Sequence, residues 1–133
     1  ATDKPTKSTD EVLDLFDKLG KAVLIDENLM GAATILAASG IAFALRFVRA
    51  ASQGGIEIGF SSELAKLITT QTVKGAVTLL ESRGTHPESE IDMVTTPRGV
   101  TISGINEMEH QGFSSSLIKG LLTSFEKIDK IQK

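Results

Sequence analysis

Hydrophobic residues recur every three or four positions along nearly the whole chain, which is the spacing of one face of an α-helix. Pro87 is well placed to begin a helix, because the N–H that proline lacks would have no partner within the helix at that position. The pattern predicts helices over about 9–19, 27–38, 41–53, 62–83, 87–94, 102–111 and 114–128. We therefore expect an all-α fold.

One short segment departs from the helical pattern. Lys21–Ile25 is a brief apolar run with β-branched members, and it predicts a single strand. A lone strand is not stable without neighbours. We therefore expect the chain to begin inside a larger protein, whose preceding part supplies the rest of the sheet.

Several glycines are expected to interrupt, end or destabilise the predicted helices. Ser39-Gly40 is expected to interrupt one helix, and Gly54-Gly55 is expected to end the next. Gly75 lies inside the long predicted helix, where it costs about 1 kcal/mol relative to alanine. We expect a close helix–helix approach at Gly75 to offset that cost.

The helix after Gly40 is apolar on two faces. Its apolar positions are Ile41, Leu45 and Val48 on one face, and Phe43, Phe47 and Ala50 on the other. A helix of this kind is buried on two sides, which a chain of 133 residues rarely achieves alone. The simplest solution is a two-fold homodimer, although a monomeric core stays open.

Composition excludes several classes of function. The net charge of −3 offers no basic face for nucleic acid. The chain has no cysteine, which excludes disulfides and thiolate chemistry and suits a cytoplasmic protein. The polar segment 1–9 is not a secretory signal. Leu29–Leu45 carries no charge, but its 17 residues fall short of the about 20 that span a membrane, so we expect a buried helix and no membrane.

The segment Asp92–Ile105 carries the main candidate chemistry. It combines threonines, Pro97 and Gly99 in a tight turn that runs directly into a helix. The first turn of a helix has unpaired N–H groups and a partial positive charge, so it can bind a small carboxylate or phosphate. Arg98 is a candidate partner for such an anion. The alternative is a capped helix start that satisfies only its own backbone.

Other chemistry finds little support in the sequence. His86 is best explained as a helix cap and His110 by its position near a helix end. No histidine or carboxylate spacing matches a metal site, so we expect no bound metal. The chain has no Gly-x-Gly-x-x-Gly motif and no P-loop, so its cofactor-binding residues are unknown.

A set of motifs in fixed order resembles the C-terminal half of the pyrroline-5-carboxylate reductase family. They are Ala37-Ala38-Ser39-Gly40-Ile41-Ala42-Phe43, Gln71-Thr72-Val73-Lys74-Gly75-Ala76, His86-Pro87, Asp92-Met93-Val94-Thr95-Thr96-Pro97-Arg98-Gly99-Val100-Thr101-Ile102 and Glu109-His110-Gln111-Gly112-Phe113. The order and spacing hold from about Glu27 to the C-terminus.

The resemblance implies two parts. Residues 27–133 would be an all-α dimerisation and substrate domain, a helical bundle similar to the C-terminal domain of 6-phosphogluconate dehydrogenase relatives, in an intertwined homodimer or a higher oligomer. Residues 1–26 would be the last helix and strand of a preceding Rossmann domain. NADPH or NADH would bind the intact enzyme, and no cofactor is expected on this fragment.

The resemblance also implies an activity and its residues. The intact enzyme would reduce 1-pyrroline-5-carboxylate to L-proline, the last step of proline biosynthesis, and the fragment alone would be inactive. Backbone N–H groups of Gly99, Val100 and Thr101, with the Thr96 hydroxyl, would bind the substrate carboxylate. Thr101 would also approach the ring nitrogen as the catalytic residue. Arg98 is included as a candidate substrate contact.

Several positions differ from the usual family motifs. The family's turn reads Ser-Pro-Gly-Gly-Thr-Thr, so Arg98 replaces a glycine and Val100 a threonine. If position 98 has positive φ, an arginine there costs roughly 1 kcal/mol. Ala37, Ala38 and Ile41 replace Ser, Gly and Pro, and Phe43 replaces Tyr. The alternatives are therefore a related reductase acting on another imine or carbonyl acid, and a non-catalytic helical dimerisation module.

Overall fold

Helices account for all regular secondary structure in residues 7–131, the part of the chain that the structure, a computed structural model, describes. This confirms the predicted all-α class. The α-helices are α1 (Lys7–Asp17), α2 (Met30–Thr34), α3 (Gly40–Glu57), α4 (Ser62–Arg83), α5 (Pro87–Val94), α6 (Val100–His110) and α7 (Phe113–Ile131). A 3₁₀ turn, Glu27–Leu29, precedes α2, and a π-helical turn, Ile35–Ser39, separates α2 from α3.

The predicted strand at Lys21–Ile25 is wrong for this chain. Residues 21–26 have no regular secondary structure, although Asp26 at their end has extended backbone angles (φ −66°, ψ 147°). A strand forms only when a neighbouring strand accepts its hydrogen bonds, and residues 7–131 supply none. The segment is instead tied to α1, because the Ala22 amide donates to the Asp17 carboxylate across 2.6 Å.

Two predicted helix boundaries were also wrong. Ser39-Gly40 does not interrupt the helix. The backbone passes through a π-helical turn there, and the helix is continuous from Glu27 to Glu57. Gly54-Gly55 lies inside α3, and the helix ends only before Gly59, whose φ of +113° is a left-handed value that glycine adopts readily.

The chain divides into two units, which are described separately. One contains the residues up to Gly40 and those from Gly120 onward, and the other is Ile41–Lys119. The predicted domain bounds, 1–26 and 27–133, remain predictions, and their residues 1–6 and 132–133 lie outside the described residues.

In the second unit, α3 and α4 approach each other closely at Gly55. A Cβ at that position would lie 3.0 Å from the Cβ of Ala65, a residue that is 2% exposed. Phe47 and Phe113 add an edge-to-face contact with ring centroids 6.2 Å apart. By contrast, nothing in the described chain comes within 4 Å of a Cβ at Gly75, so the approach predicted there is not made by these residues.

Most of the large hydrophobic side chains in the described residues remain exposed. Ile35 and Ala65 are the buried hydrophobic residues of this part of the chain. On α3, Ile41 and Leu45 are 65% and 61% exposed, and on α7, Ile118 is 56% exposed. Both helices therefore present apolar surface that the described residues do not cover.

Candidate functional site

The predicted turn lies between α5 and α6. The Gly99 amide donates to the Thr96 carbonyl across 2.8 Å, which closes a four-residue turn with Pro97 at its second position. Arg98, at the third position, has a φ of +61° and is the non-glycine residue with positive φ in the described chain. Proline followed by positive φ is the pattern of a type II turn. Position 98 therefore has the positive φ under which the sequence analysis expects an arginine to be strained.

Gly99 ends the turn and starts the helix. Its backbone angles are extended (φ −72°, ψ 158°), and it is the N-cap residue of α6. Any side chain here would collide with Thr96, since a Cβ would lie 2.6 Å from the Thr96 hydroxyl and 2.9 Å from its carbonyl oxygen. Glycine is thus required by close approach of the backbone and not by positive φ.

The start of α6 keeps backbone donors available. Within the described residues, no side chain caps the helix at Gly99. The N–H groups of the next residues, Val100 and Thr101, belong to the first helical turn and have no acceptor along the helix. The Gly99 amide differs, because it is already engaged with Thr96. An incoming anion would therefore meet the Val100 and Thr101 amides first.

The side chains around these amides are open to solvent. Thr96, Arg98 and Thr101 are exposed, and Val100 is 90% exposed. Among residues 7–131, no carboxylate pairs with Arg98. Thr95, just before the turn, differs in that it is half-buried and its hydroxyl donates to the Asp92 carbonyl across 3.2 Å. The structure brings the predicted residues together on one short surface segment.

Helix α5 and the loop before it position the turn. Pro87 is the first residue of α5, and the Glu88 amide donates to Nδ1 of His86 across 3.2 Å, so His86 caps the helix as predicted. Oε2 of Glu90 accepts a hydrogen bond from Nη1 of Arg83 at 2.9 Å, and Oε1 accepts one from the Thr85 hydroxyl at 2.6 Å. Sequence reading missed this contact, because the three residues are charged or polar and give no periodic signal.

The remaining sequence candidates lie elsewhere. His110 is in the last turn of α6, as expected from its favourable interaction with a helix C-terminus. Within the described ranges, no three His, Asp or Glu side chains come together as a set of metal ligands.

A separate apolar cleft of about 870 Å³ lies in the first unit. One wall is α1, through residues such as Val12, Leu13 and Phe16, and the other is the irregular segment that includes Ala22 and Leu24. The cleft flanks the segment whose apolar pattern had predicted a strand.

The long helix Glu27–Glu57 has the length of a membrane-spanning helix. It is long and apolar enough by length and composition, with a mean hydropathy of 1.7 in its most apolar window, of which 6% is buried within this chain. A core helix of an assembled protein has the same properties. The expectation of no membrane span, which was drawn from the short length of the uncharged run Leu29–Leu45, stays a prediction.

Comparisons with known proteins agree on one family. The model of the family described as pyrroline-5-carboxylate reductase dimerisation matches residues 27–131. Pyrroline-5-carboxylate reductase 1 of Dictyostelium discoideum is 51% identical over 132 residues, which cover 96% of this chain and 24% of that protein. Pyrroline-5-carboxylate reductase 2 of the same organism is 48% identical, with 89% of this chain and 40% of that protein covered.

A solved structure shares the fold. The pyrroline carboxylate reductase of Plasmodium falciparum, solved with NADP bound, superposes with a TM-score of 0.88 at 24% identity, covering 99% of this chain and 51% of that one. The chain thus spans about half the length of this structure, and less than half of the Dictyostelium relatives.

Proposed function

The chain belongs to the pyrroline-5-carboxylate reductase dimerisation family, and from this premise we propose that it is the helical C-terminal part of an enzyme that reduces 1-pyrroline-5-carboxylate to L-proline. The observation that carries the proposal is the turn of Thr96–Gly99, after which the first amides of α6 have no side-chain cap and belong to exposed residues. Such amides bind a carboxylate without needing a charged side chain.

Each residue of the turn has a proposed role. The Val100 and Thr101 amides and the Thr96 hydroxyl bind the substrate carboxylate. The Thr101 hydroxyl approaches the ring nitrogen and donates a hydrogen bond during reduction. Gly99 contributes mainly by lacking a side chain, which would collide with Thr96. Arg98 is exposed and has no carboxylate partner among the described residues, and in this proposal it adds a positive charge beside the site.

The nicotinamide cofactor binds outside this chain in our proposal. All regular secondary structure in the described residues is helical, so they offer no strand-to-helix turn of the kind that holds a dinucleotide and do not fit such a cofactor. NADPH or NADH would deliver the hydride from a preceding domain. The apolar cleft beside α1 supports this arrangement, because the rest of such a domain would cover it.

Homodimer formation follows from the surface that the chain leaves open. Ile41 and Leu45 on α3 and Ile118 on α7 are more than half exposed. Complete burial of one such side chain is worth roughly 1.5–3 kcal/mol, so a second copy packing on these helices would be strongly stabilised. We propose an intertwined homodimer, with larger assemblies built from it, in the cytoplasm and without nucleic-acid or membrane partners.

The test is an assay of the full-length protein that contains this chain. We expect it to oxidise NADPH or NADH when 1-pyrroline-5-carboxylate is added, and to form L-proline. The isolated chain should give no turnover. Oxidation with another imine or a carbonyl acid and none with pyrroline-5-carboxylate would favour the related-reductase alternative. No oxidation with any of these substrates would favour the non-catalytic module.

A further inference from the structure

Glu90 is the most completely engaged acidic side chain near the turn. Its side chain is 14% exposed, and both carboxylate oxygens are used, one by Arg83 at 2.9 Å and the other by Thr85 at 2.6 Å. Hydrogen bonds to an ionised group are shorter and stronger than those between neutral groups. Arg83 is 45% exposed, so the restraint comes less from burial of the pair than from the use of both carboxylate oxygens of Glu90 at once.

The three residues come from consecutive pieces of the chain. Arg83 is the last residue of α4, Thr85 lies in the connection after the left-handed C-cap Gly84, and Glu90 lies in α5. The same Arg83 nitrogen also contacts the sulfur of Met93, in the last turn of α5, at 3.5 Å. Arg83 thus contacts α5 at two points along its length.

Helix α5 needs such contacts because it is only eight residues long. Isolated helices of this length are marginal in water. The turn begins two residues after the end of α5. The connection is held to the helix because the Thr95 amide and hydroxyl both donate to the Asp92 carbonyl, at 3.3 and 3.2 Å. The orientation of α5 therefore determines where the turn and the first amides of α6 lie relative to α4.

We propose that Glu90 is a positioning residue for the carboxylate site: by binding Arg83 and Thr85 it fixes α5 against the end of α4, and so fixes the Val100 and Thr101 amides. The inference rests on the proposed function of the turn. Glu90 does not touch the substrate, and its effect is on substrate binding and not on the cofactor.

The experiment compares two glutamines in the full-length protein. Glu90→Gln keeps the shape of the side chain but removes the charge that binds Arg83. Glu88→Gln removes the same charge from the first turn of the same helix, where the side chain is exposed. For each variant we would measure the KM for 1-pyrroline-5-carboxylate, the KM for NADPH, the Tm, and hydrogen exchange of residues 95–101.

Glu90→Gln is expected to raise the KM for 1-pyrroline-5-carboxylate about tenfold, with the KM for NADPH within about twofold, and to speed exchange in residues 95–101. Glu88→Gln should change neither the KM for 1-pyrroline-5-carboxylate nor the exchange of residues 95–101. Thr85→Val should give a smaller change of the same kind, and Arg83→Met combined with Glu90→Gln should add little to Glu90→Gln alone, because both remove one contact.

A lower Tm with unchanged KM for 1-pyrroline-5-carboxylate and unchanged exchange in residues 95–101 would overturn the proposal, as would equal effects of the two glutamine variants. If the parent protein does not reduce 1-pyrroline-5-carboxylate, the proposed function fails. Hydrogen exchange of residues 95–101 then tests the positioning role of Glu90 by itself. Faster exchange in Glu90→Gln than in Glu88→Gln would still support its role in holding the turn, and equal rates would refute it.

Discussion

The amide of Gly99 donates to the carbonyl of Thr96 across 2.8 Å, and the same two residues approach so closely that no Cβ fits between them. This contact determines where the chain leaves the turn and enters α6. It removes the Gly99 amide from the set of free donors and leaves those of Val100 and Thr101 at the helix start. The proposed substrate site depends on it.

Replacing Gly99 by alanine should destabilise the turn. The new Cβ would lie 2.9 Å from the backbone oxygen of Thr96, which cannot move without opening the turn. We expect a loss of about 1–3 kcal/mol in the free energy of unfolding, measured by urea titration of the full-length protein. Gly104→Ala is the control, because a Cβ there meets nothing within 4 Å among residues 7–131. Equal stability of the two variants would show that the turn is not as tight as described.

Arg98 provides a test of backbone strain that is separate from charge. Its φ of +61° is tolerated by asparagine and strongly disfavoured for a β-branched residue. Arg98→Asn and Arg98→Val both remove the charge, so a difference between them reports the backbone. We expect the valine variant to be less stable by about 1 kcal/mol or more, as measured by thermal unfolding. Identical melting curves would contradict a left-handed residue at this position.

Leu45 tests the proposed dimer. It is 61% exposed on α3 in the single chain, and an aspartate there would place a charge in the proposed interface. Leu45→Asp should shift the full-length protein toward monomer or aggregate in light scattering. Arg46→Asp introduces the same side chain one position along, at a residue that is already charged and exposed, and should leave the assembly intact. A Leu45→Asp protein with unchanged mass would remove this face of α3 from the interface.

Thr101 is the residue to which we assign the hydrogen bond to the ring nitrogen. Thr101→Val removes the hydroxyl and keeps both the shape and the backbone amide. We expect kcat/KM for 1-pyrroline-5-carboxylate to fall about 10- to 100-fold. Thr101→Ser restores the hydroxyl and should recover most of that loss. Normal turnover by the valine variant would exclude the hydroxyl from the reaction.

Local chemistry was enough to predict the elements on either side of the site. Pro87 after His86 predicted the start of α5, and both residues act there as expected. The pattern around Pro97 and Gly99 predicted a turn entering a helix, and Arg98 has the positive φ that the family's glycine had suggested. These predictions succeeded because each depends on residues within a few positions of one another.

The errors came from contacts between different helices or from missing neighbours. Gly54-Gly55 was interpreted as a helix end, but Gly55 lies within α3 and allows close packing against Ala65. No pattern within either helix reveals that crossing. Similarly, Lys21–Ile25 has the composition of a strand, but residues 7–131 offer it no neighbouring strand. The Glu90 contact was missed because Arg83, Thr85 and Glu90 are brought together only by the turn at Gly84.

The most direct measurement is a crystal structure of the full-length protein with L-proline bound. Our account predicts one carboxylate oxygen of the ligand within about 3.2 Å of the amide nitrogens of Val100 and Thr101. It also predicts the ring nitrogen near the Thr101 hydroxyl, and Gly99 still bonded to Thr96. A carboxylate bound away from the start of α6, with those two amides facing only solvent or other protein atoms, would contradict the account.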